Sequence, residues 1–353
     1  MADGRLDVLV IGAGQAGLAT GYHLKRRSLD FYIIEQSTRV GDSWRKRYES
    51  LTLFTPRAFS ALPGLPLADD PDGYPSREEF ADYLQDYAAR WRLPVATSVR
   101  VVELTRDGGD FLAMLSDGST ARSRSVVVAT GGFQNPTRPA IAAGFDASVV
   151  QFDPESYRNP QSTPPGRVLV VGDGASGRDI SAELAATNDT FLAVGKPRRL
   201  FPERILGRSV WWWLKKLGLM RARSGSLPGR IMRRADPFPD RGRSLPALRA
   251  ASVCIVPRLV GAEGRIAALA DGTRIEVDAV VWAIGYRDDF NWLRVPEAKD
   301  ADNKILYADG VSPVSGLFFV GRSWQRSRAS ALVMGAGDDA AAIVQRISLT
   351  RSS

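Results

Sequence analysis

The residues with the clearest chemical potential are three glycines near the N-terminus, Gly12, Gly14 and Gly17. They follow an apolar run and precede residues that are typical of a helix. In that context the first glycine permits a tight turn and the second lets the backbone approach a pyrophosphate. The third lets the helix pack closely on the strand, with the phosphates at the helix N-terminus. The pattern therefore predicts a dinucleotide site, and a chance glycine-rich turn is the alternative.

An acidic residue ends the next apolar run of the sequence. Glu35, with Gln36 beside it, closes the segment FYIIE and lies 18 residues beyond Gly17. A carboxylate there accepts hydrogen bonds from ribose hydroxyls and repels a 2′-phosphate. The first site is therefore expected to bind a dinucleotide without that phosphate, and FAD fits this description.

The same glycine spacing recurs later in the chain. The second copy comprises Gly172, Gly174, Ser176 and Gly177. The strand that follows it ends without an acid and leads into basic residues, which are Lys196, Arg198 and Arg199. Cations at the ribose end of a nucleotide fold suit the extra phosphate of NADPH. We expect NADPH at this second site, and a solvated basic loop is the alternative.

A second repeat has nearly the same offset as the first. Residues 115–131 and 269–285 each contain Asp-Gly, then a strand, then Ala-x-Gly. Two repeats in the same order predict two copies of one unit. The expected fold class is therefore α/β, with two Rossmann-like dinucleotide-binding domains, one inserted into the other. The predicted FAD-binding domain comprises residues 1–155 and 286–353, and the NADPH-binding domain comprises residues 156–285.

Composition excludes several classes of enzyme. The chain has 353 residues, a formal charge of +8, one His and one Cys. His23 alone cannot form a two-His zinc motif, and Cys254 alone cannot form a redox-active Cys pair, so no metal site is expected. His23 is interpreted as a helix-face residue and Cys254 as a buried strand residue. No apolar run approaches the ~18 residues of a membrane span, so a cytoplasmic protein without a transmembrane segment is expected.

A series of motifs resembles class B flavoprotein monooxygenases, and most closely the flavin-containing monooxygenase-like proteins of bacterial and plant type. They are the two glycine fingerprints, residues 41–67, ATGGFQNPTRP (129–139), WAIGY (282–286) and FFVGRSW (318–324). The resemblance implies that NADPH reduces FAD and that NADP stays bound. It further implies that O2 forms a C4a-peroxyflavin, which oxygenates a soft-nucleophile or carbonyl substrate.

The resemblance also implies which residues contact the cofactors. Residues in the matching flavin segments are Gly41, Trp44, Arg45, Thr130 and Gly321. Gln325 is the polar residue expected closest to the flavin ring. The chain departs from the family at Phe54, where many members have Asn, and the hydroxyl of Thr55 is a candidate substitute. It departs again at Asp153, which stands where the family has a His. Thr55, Gln325 and Asp153 are the candidate catalytic residues.

One segment carries more positive charge than the whole chain. Residues 196–243 have 14 Lys and Arg against three acids, interleaved with Trp211, Trp212 and Trp213. A nucleic-acid or membrane surface is one interpretation. The favoured one is that the cations attract an anionic cofactor, while the Trp run packs at the domain junction, on a hydrophobic substrate or on a partner subunit. No nucleic-acid partner is expected, and a homodimer remains open.

Three functions remain possible from the sequence. The first is an NADPH-dependent FAD monooxygenase that takes O2 and a small-molecule substrate. The second is an NADPH-dependent flavin reductase or oxidase without oxygenation, which Phe54 and Asp153 make credible. The third is a nucleotide-sensing regulator that uses residues 196–243 to contact nucleic acid.

Overall fold

The first fingerprint lies in a strand, a helix and a second strand. In the computed structural model, which describes residues 4–235 and 237–351, β1 (Leu6–Ile11) leads into α1 (Gln15–Arg26) and β2 (Phe31–Ile34). β1 and β2 pair in parallel, and Val8, Leu9 and Val10 of β1 are fully buried. A strand covered on both faces needs the continuous apolar run that the sequence has here.

The first sheet continues with antiparallel strands. The elements that follow are α2 (Asp42–Arg45), α3 (Arg77–Arg90), β3 (Val95–Ala96), β4 (Val101–Asp107), β5 (Asp110–Leu115) and β6 (Thr120–Val128). The strand order is β3-β2-β1-β6-β5-β4. The long strand β6 pairs with β5 in antiparallel fashion at its start and with β1 in parallel further on, so it joins the meander to the nucleotide-binding strands.

A second parallel sheet contains the second fingerprint. Its strands are β8 (Val150–Phe152), β9 (Arg167–Val171), β10 (Asp189–Ala193), β15 (Cys254–Val256) and β19 (Ala279–Trp282), after the short strand β7 (Asn135–Pro136). The order is β15-β10-β9-β19-β8, and all pairs are parallel. The second unit therefore starts before the boundary predicted at residue 156, because β8 pairs with β19.

The remaining elements of the second unit are α4 (Ala175–Leu184), β11 (Leu200–Phe201), β12 (Arg204–Ile205), β13 (Arg208–Ser209), α5 (Val210–Lys216), α6 (Leu227–Ala235), β14 (Phe238–Pro239), α7 (Leu245–Ala250), β16 (Leu259–Glu263), β17 (Ile266–Leu269) and β18 (Arg274–Glu276). Of these elements, α4 packs on β9 and β10, and α7 packs on β15. β16, β17 and β18 form an antiparallel meander. The two units thus repeat one plan, which confirms the predicted fold class.

The chain returns to the first unit through a short ribbon. β20 (Tyr286–Arg287) pairs with β7, so the outgoing and returning segments lie side by side. β21 (Leu317–Phe319) then joins β6 in parallel as the seventh strand of the first sheet. The final helix α8 (Val333–Arg351) packs on α1. Residues from distant parts of the sequence therefore meet at the N-terminus of α1.

The burial predicted for the single cysteine is wrong. Cys254 is exposed because it begins the edge strand β15, and burial increases along this strand toward Val256. His23 lies on α1, as predicted, and is partly buried. Across the part of the chain that the structure describes, no helix combines the length and the apolar character needed to cross a bilayer.

Candidate functional site

The first fingerprint has one open glycine between two packed ones. Gly12 has φ +103°, and a Cβ there would lie 2.7 Å from the carbonyl oxygen of Ala129. A Cβ at Gly17 would lie 1.8 Å from the carbonyl oxygen of Gly12, so both positions require glycine. A Cβ at Gly14 would meet no described atom within 4 Å. The opening at Gly14 faces the start of α1, where backbone N–H groups favour an anion.

The carboxylate of Glu35 lies against this opening. Its Oε2 accepts a hydrogen bond from the backbone N–H of Ala13 (2.8 Å), inside the fingerprint. Its Oε1 accepts one from the backbone N–H of Ser37 (2.8 Å). Gln36, between them in sequence, is exposed. The acid that the sequence predicted at the ribose end therefore lies beside the fingerprint with a fixed orientation.

Three further segments approach the same helix N-terminus. A Cβ at Gly321 would lie 2.8 Å from the Cβ of Ala16, and its φ of +85° requires glycine. The indole N–H of Trp44 points to the side-chain oxygen of Gln15 (3.4 Å). The backbone of Thr130 follows Ala129, next to Gly12. The structure thus brings together most of the residues that the sequence assigned to the flavin.

Two of the predicted flavin residues, Gly41 and Arg45, contact α3. The guanidinium of Arg45 is buried and donates to the carbonyl oxygen of Val40 and to the carboxylates of Glu78 and Asp82 on α3. Gly41 also packs on α3, because a Cβ there would lie 2.4 Å from the carbonyl oxygen of Ala81. Both residues attach α2 to α3 and so hold Trp44 in place.

The second fingerprint repeats the geometry of the first. A Cβ at Gly172 would lie 2.5 Å from the carbonyl oxygen of Ala283, and one at Gly177 would lie 1.8 Å from that of Gly172. A Cβ at Gly174 would again have no described atom within 4 Å. Because α4 starts at Ala175 as α1 starts at Gln15, each unit has an open glycine at a helix N-terminus.

An ion-pair cluster connects the basic loop to this second fingerprint. Asp173, which occupies the position of Ala13, is buried and pairs with Arg178 (3.2 Å) and with Arg198 (3.5 Å). Lys196 and Arg199 are exposed on either side of Arg198. One of the three cations predicted for the 2′-phosphate of NADPH, Arg198, therefore lies beside the fingerprint.

Ser176, which the sequence assigned to the second cofactor site, contacts Tyr48 of the first unit. The hydroxyl of Ser176 hydrogen-bonds to that of Tyr48, and the hydroxyl of Tyr48 lies 3.3 Å from Oδ2 of Asp179. Burial and the neighbouring carboxylate of Asp179 raise the pKa of Tyr48, so it stays neutral. Ser50 likewise donates to Glu183 (2.7 Å), so this segment fixes the two fingerprints relative to each other.

The three candidate catalytic residues have different surroundings. Thr55 is buried, and its hydroxyl lies 2.6 Å from that of Ser60. Gln325 is buried, its Oε1 accepts from the N–H of Arg322 (3.3 Å), and its Nε2 has no partner among the described residues. The carboxylate of Asp153 accepts from its own turn, at the N–H groups of residues 155 and 156. No hydrogen bond connects these three residues within the described structure.

An apolar cluster covers the segment that contains Thr55. The ring of Trp211 on α5 stacks with that of Phe54, with centroids 6.1 Å apart. Phe201 contacts the other edge of Trp211, and Ala329 packs in the same cluster. Trp211 therefore packs at a junction between the second unit and the first, which is one of the places predicted for the Trp run.

Two polar residues that the sequence reasoning missed hold the ribbon between the units. Gln134 donates to the hydroxyl of Thr130 (2.9 Å) and accepts from the backbone N–H of Asp289 (2.8 Å). Arg322 donates to the carbonyl oxygen of Gly131 (2.8 Å) and pairs with Asp288. The signal for Gln134 was its place in ATGGFQNP, between the nucleotide strand and β7.

Comparison with known proteins gives consistent results. Residues 9–199 match the family model described as pyridine nucleotide-disulphide oxidoreductase. An oxidoreductase of Geobacillus kaustophilus, named as uncharacterized and CzcO-like, is 42% identical over 97% of this chain and 98% of its own length. A probable indole-3-pyruvate monooxygenase of Arabidopsis thaliana, YUCCA9, is 30% identical, covering 89% of this chain and 83% of its own.

A solved structure is similar along nearly the whole chain. A flavin-containing monooxygenase from Stenotrophomonas maltophilia superposes with a TM-score of 0.81. It is 26% identical, and the match covers 98% of this chain and 99% of the other. The likeness therefore includes both units and the ribbon that connects them.

Proposed function

The chain belongs to the pyridine nucleotide-disulphide oxidoreductase family and is a class B flavoprotein monooxygenase, and on this premise we propose its reaction. Its cofactors are FAD and NADPH. It oxidises NADPH, reduces FAD and inserts one oxygen atom of O2 into a small soft-nucleophile or carbonyl substrate. The second oxygen atom leaves as water.

The duplicated opening at Gly14 and Gly174 is the observation that carries this proposal. Each opening is free of described atoms within 4 Å at a helix N-terminus, while the flanking glycines are packed. Such a cradle fits the pyrophosphate of a dinucleotide. When bound, FAD supplies the redox chemistry, by accepting a hydride from NADPH and reacting with O2.

Charge distinguishes the two openings. Glu35 accepts a hydrogen bond from Ala13 and is positioned to accept more from ribose hydroxyls, which supports FAD at the first site. Arg198 is held beside the second fingerprint by Asp173, and the exposed Lys196 and Arg199 flank it. A 2′-phosphate is repelled at the first site and attracted at the second, so NADPH is assigned to the second.

An oxygenation site must exclude water, and the apolar cluster can supply this. Phe54, Trp211 and Phe201 pack over the segment that the resemblance puts at the flavin. Thr55, which follows Phe54 in sequence, and Gln325 are buried polar side chains. The carboxylate of Asp153 caps its own turn, so no strong general base is assigned. The residues act by orienting the reactants in a dry site.

A reductase or oxidase that forms no oxygenated product is the second candidate. The observation that favours it is the engagement of Thr55, whose hydroxyl already contacts Ser60, next to an apolar Phe54. The hydroxyl of Thr55 can then stabilise the oxygen intermediate only if its hydrogen bond with Ser60 rearranges. The product that such an oxidase forms from O2 is hydrogen peroxide.

Product stoichiometry separates the two candidates. Flavin-loaded protein is supplied with NADPH, O2 and panels of amines, sulfides and ketones, and NADPH loss, hydrogen peroxide and oxygenated product are measured. We expect at least one substrate class to give product in proportion to the NADPH consumed. Peroxide equal to NADPH with every class establishes the oxidase instead. Purified protein that takes up no flavin contradicts both.

A further inference from the structure

The segment from β12 to α6 forms a basic surface with exposed aliphatic side chains. Residues 204–235 contain nine Lys and Arg and no Asp or Glu. All nine cations are exposed: Arg204, Arg208, Lys215, Lys216, Arg221, Arg223, Arg230, Arg233 and Arg234. Its exposed aliphatic side chains are Ile205, Leu206, Leu217, Leu227 and Ile231. We refer to these 14 side chains as the insert surface.

The helix α6 directs its apolar face toward solvent. Leu227 and Ile231 are one turn apart, so they lie on the same face of the helix. Their exposed fractions are 65% and 61%, and Gly229 is the one residue of α6 that is buried. A helix that packed on its own domain would bury such a pair. The apolar face of α6 therefore has no cover among the described residues.

The rest of the insert surface has the same character. Leu206, at the turn between β12 and β13, is 87% exposed, and Leu217, just after α5, is 65% exposed. The N–H of Trp213 donates to the carbonyl oxygen of Ile205 (2.9 Å), so α5 and the hairpin form one body. Lys216 lies over the ring of Trp212, 4.6 Å from its centroid. Aliphatic and cationic groups thus lie together on this surface.

Few of the cations are neutralised within the molecule. Arg204 pairs with Asp72 (3.2 Å) and Arg221 approaches Asp338 (3.9 Å). Among the described residues, no carboxylate lies within 4.0 Å of the other seven. The surface therefore suits an anionic partner that also accepts aliphatic side chains.

We propose that the insert surface docks the protein on a lipid bilayer that contains anionic headgroups. The cations would meet lipid phosphates while Leu206, Leu227 and Ile231 enter the acyl boundary, as basic amphipathic helices do. The protein binds such a membrane peripherally. This inference is independent of the proposed reaction, since it uses no cofactor residue.

Two other occupants fit the surface less well. A nucleic acid is bound through cations and exposed aromatic platforms, and here Trp211 is buried, Trp212 and Trp213 are half-buried, and the most exposed apolar side chains are leucines. A second copy of the chain bound through the same surface would bring nine cations against nine. An anionic bilayer satisfies both the charge and the aliphatic exposure.

Vesicle co-sedimentation tests the proposal on the flavin-loaded protein. Vesicles of phosphatidylcholine alone are compared with vesicles that contain phosphatidylglycerol, across a series of salt concentrations. We expect binding to the anionic vesicles that weakens as salt rises, and little binding to the neutral ones. Failure to bind the anionic vesicles at low salt overturns the proposal.

Two sets of variants test whether binding depends on the cations of the insert surface or on the net positive charge of the protein. Arg230, Arg233 and Arg234 are changed together to Gln, and the matched control changes the exposed Arg27, Arg249 and Arg258 to Gln. The first set should weaken vesicle binding by about a hundredfold, since each cation contributes about fivefold near an anionic surface. Flavin content and NADPH oxidation should stay unchanged in both sets. Equal weakening by the two sets overturns the proposal.

A second pair of variants tests how the exposed aliphatic side chains contribute to vesicle binding. L227S with I231S should reduce binding and leave its salt dependence in place, whereas the exposed M114S with V260S should have no effect. If the aliphatic pair instead changes only the oligomeric state, or if duplex DNA competes fully with vesicles, the surface serves another partner and the proposal is wrong.

Discussion

The indole N–H of Trp211 donates a hydrogen bond to the backbone carbonyl oxygen of Phe54 (3.1 Å). This bond connects α5 of the second unit to the segment of the first unit that also contains Thr55. Trp211 and Thr55 are buried, and the bond itself is partly buried at the apolar cluster. The position of the second unit is therefore linked to the apolar cluster that covers the segment with Thr55.

Replacing Trp211 with Phe is expected to uncouple NADPH oxidation from oxygenation. The variant keeps an aromatic ring but leaves the partly buried carbonyl oxygen of Phe54 without its donor. Such a loss costs about 1–3 kcal/mol, and we expect water to enter the cluster. The ratio of peroxide to oxygenated product should rise, while flavin content stays the same. Peroxide and product assays measure this.

Trp213→Phe is the matched control for that prediction. Its N–H donates to the carbonyl oxygen of Ile205 within the same segment, so the chemical change is identical. It lies outside the cluster that contains Phe54. Equal uncoupling in the two variants would mean that the Trp211 bond has no special role.

The sequence predicts the two nucleotide units well because their signals are local. A glycine spacing beside an apolar run fixes the turn at Gly12 and, again, at Gly172. The start of the second unit has no local signal in the sequence. The strand β8 is only three residues long, and its partner strand begins at Ala279, far along the chain. A short strand without an alternating pattern has no signal of its own.

The side chains of the site are harder to predict, since their partners come from other elements. Arg45 stands in the flavin motif, yet Glu78 and Asp82 of α3 take its guanidinium. Asp153 looks like a replacement for a functional His, and it closes a turn with its own backbone neighbours. Type and spacing could not reveal either contact, because both depend on tertiary packing.

Gly14→Ala is expected to weaken FAD binding and leave the apoprotein folded. The backbone at Gly14 has φ −73°, which alanine adopts freely, and the new Cβ meets no described atom. It projects into the opening where the pyrophosphate is proposed, and a lost hydrogen bond to a charged group costs about 1.5–3 kcal/mol, or 10- to 100-fold in affinity. Flavin titration measures this. Unchanged flavin affinity would contradict the assignment of the opening.

Gly174→Ala tests the second opening by the same logic. Its φ is −70°, and a Cβ there is equally unhindered. We expect the purified variant to keep its FAD and its melting temperature, while the KM for NADPH rises about tenfold or more. Each of the two glycine variants is the control for the other. Loss of flavin from the Gly174 variant would mean that the two sites are assigned the wrong way round.

Arg198→Ala is expected to reduce the preference for NADPH over NADH. Arg198 is 3.5 Å from Asp173 and is the cation held nearest the second fingerprint among those proposed for the 2′-phosphate. A charge-assisted hydrogen bond to phosphate contributes about 1.5–3 kcal/mol, so kcat/KM for NADPH should fall about 10- to 100-fold, with little change for NADH. Steady-state kinetics with both nucleotides measure the ratio. Exposed Arg249→Ala is the control, and an equal fall for both nucleotides would refute the role.

Glu183→Gln is expected to stabilise the protein increasingly as pH rises. Burial, with a smaller contribution from the acids Glu49 and Asp179, raises the pKa of Glu183 above its ordinary value of 4.5. The folded state therefore favours the protonated acid, so the wild type loses stability as pH rises through the folded pKa. Glutamine keeps an oxygen for the hydroxyl of Ser50 and carries no charge.

Urea unfolding of apoprotein at several pH values measures this effect. The free energy of unfolding of the variant should exceed that of the wild type near neutral pH, and the two should converge below pH 4.5. Exposed Glu297→Gln should follow the wild type throughout. Because Ser50 and Glu183 belong to different units, a difference that grows toward acid would mean that the charged carboxylate stabilises their contact.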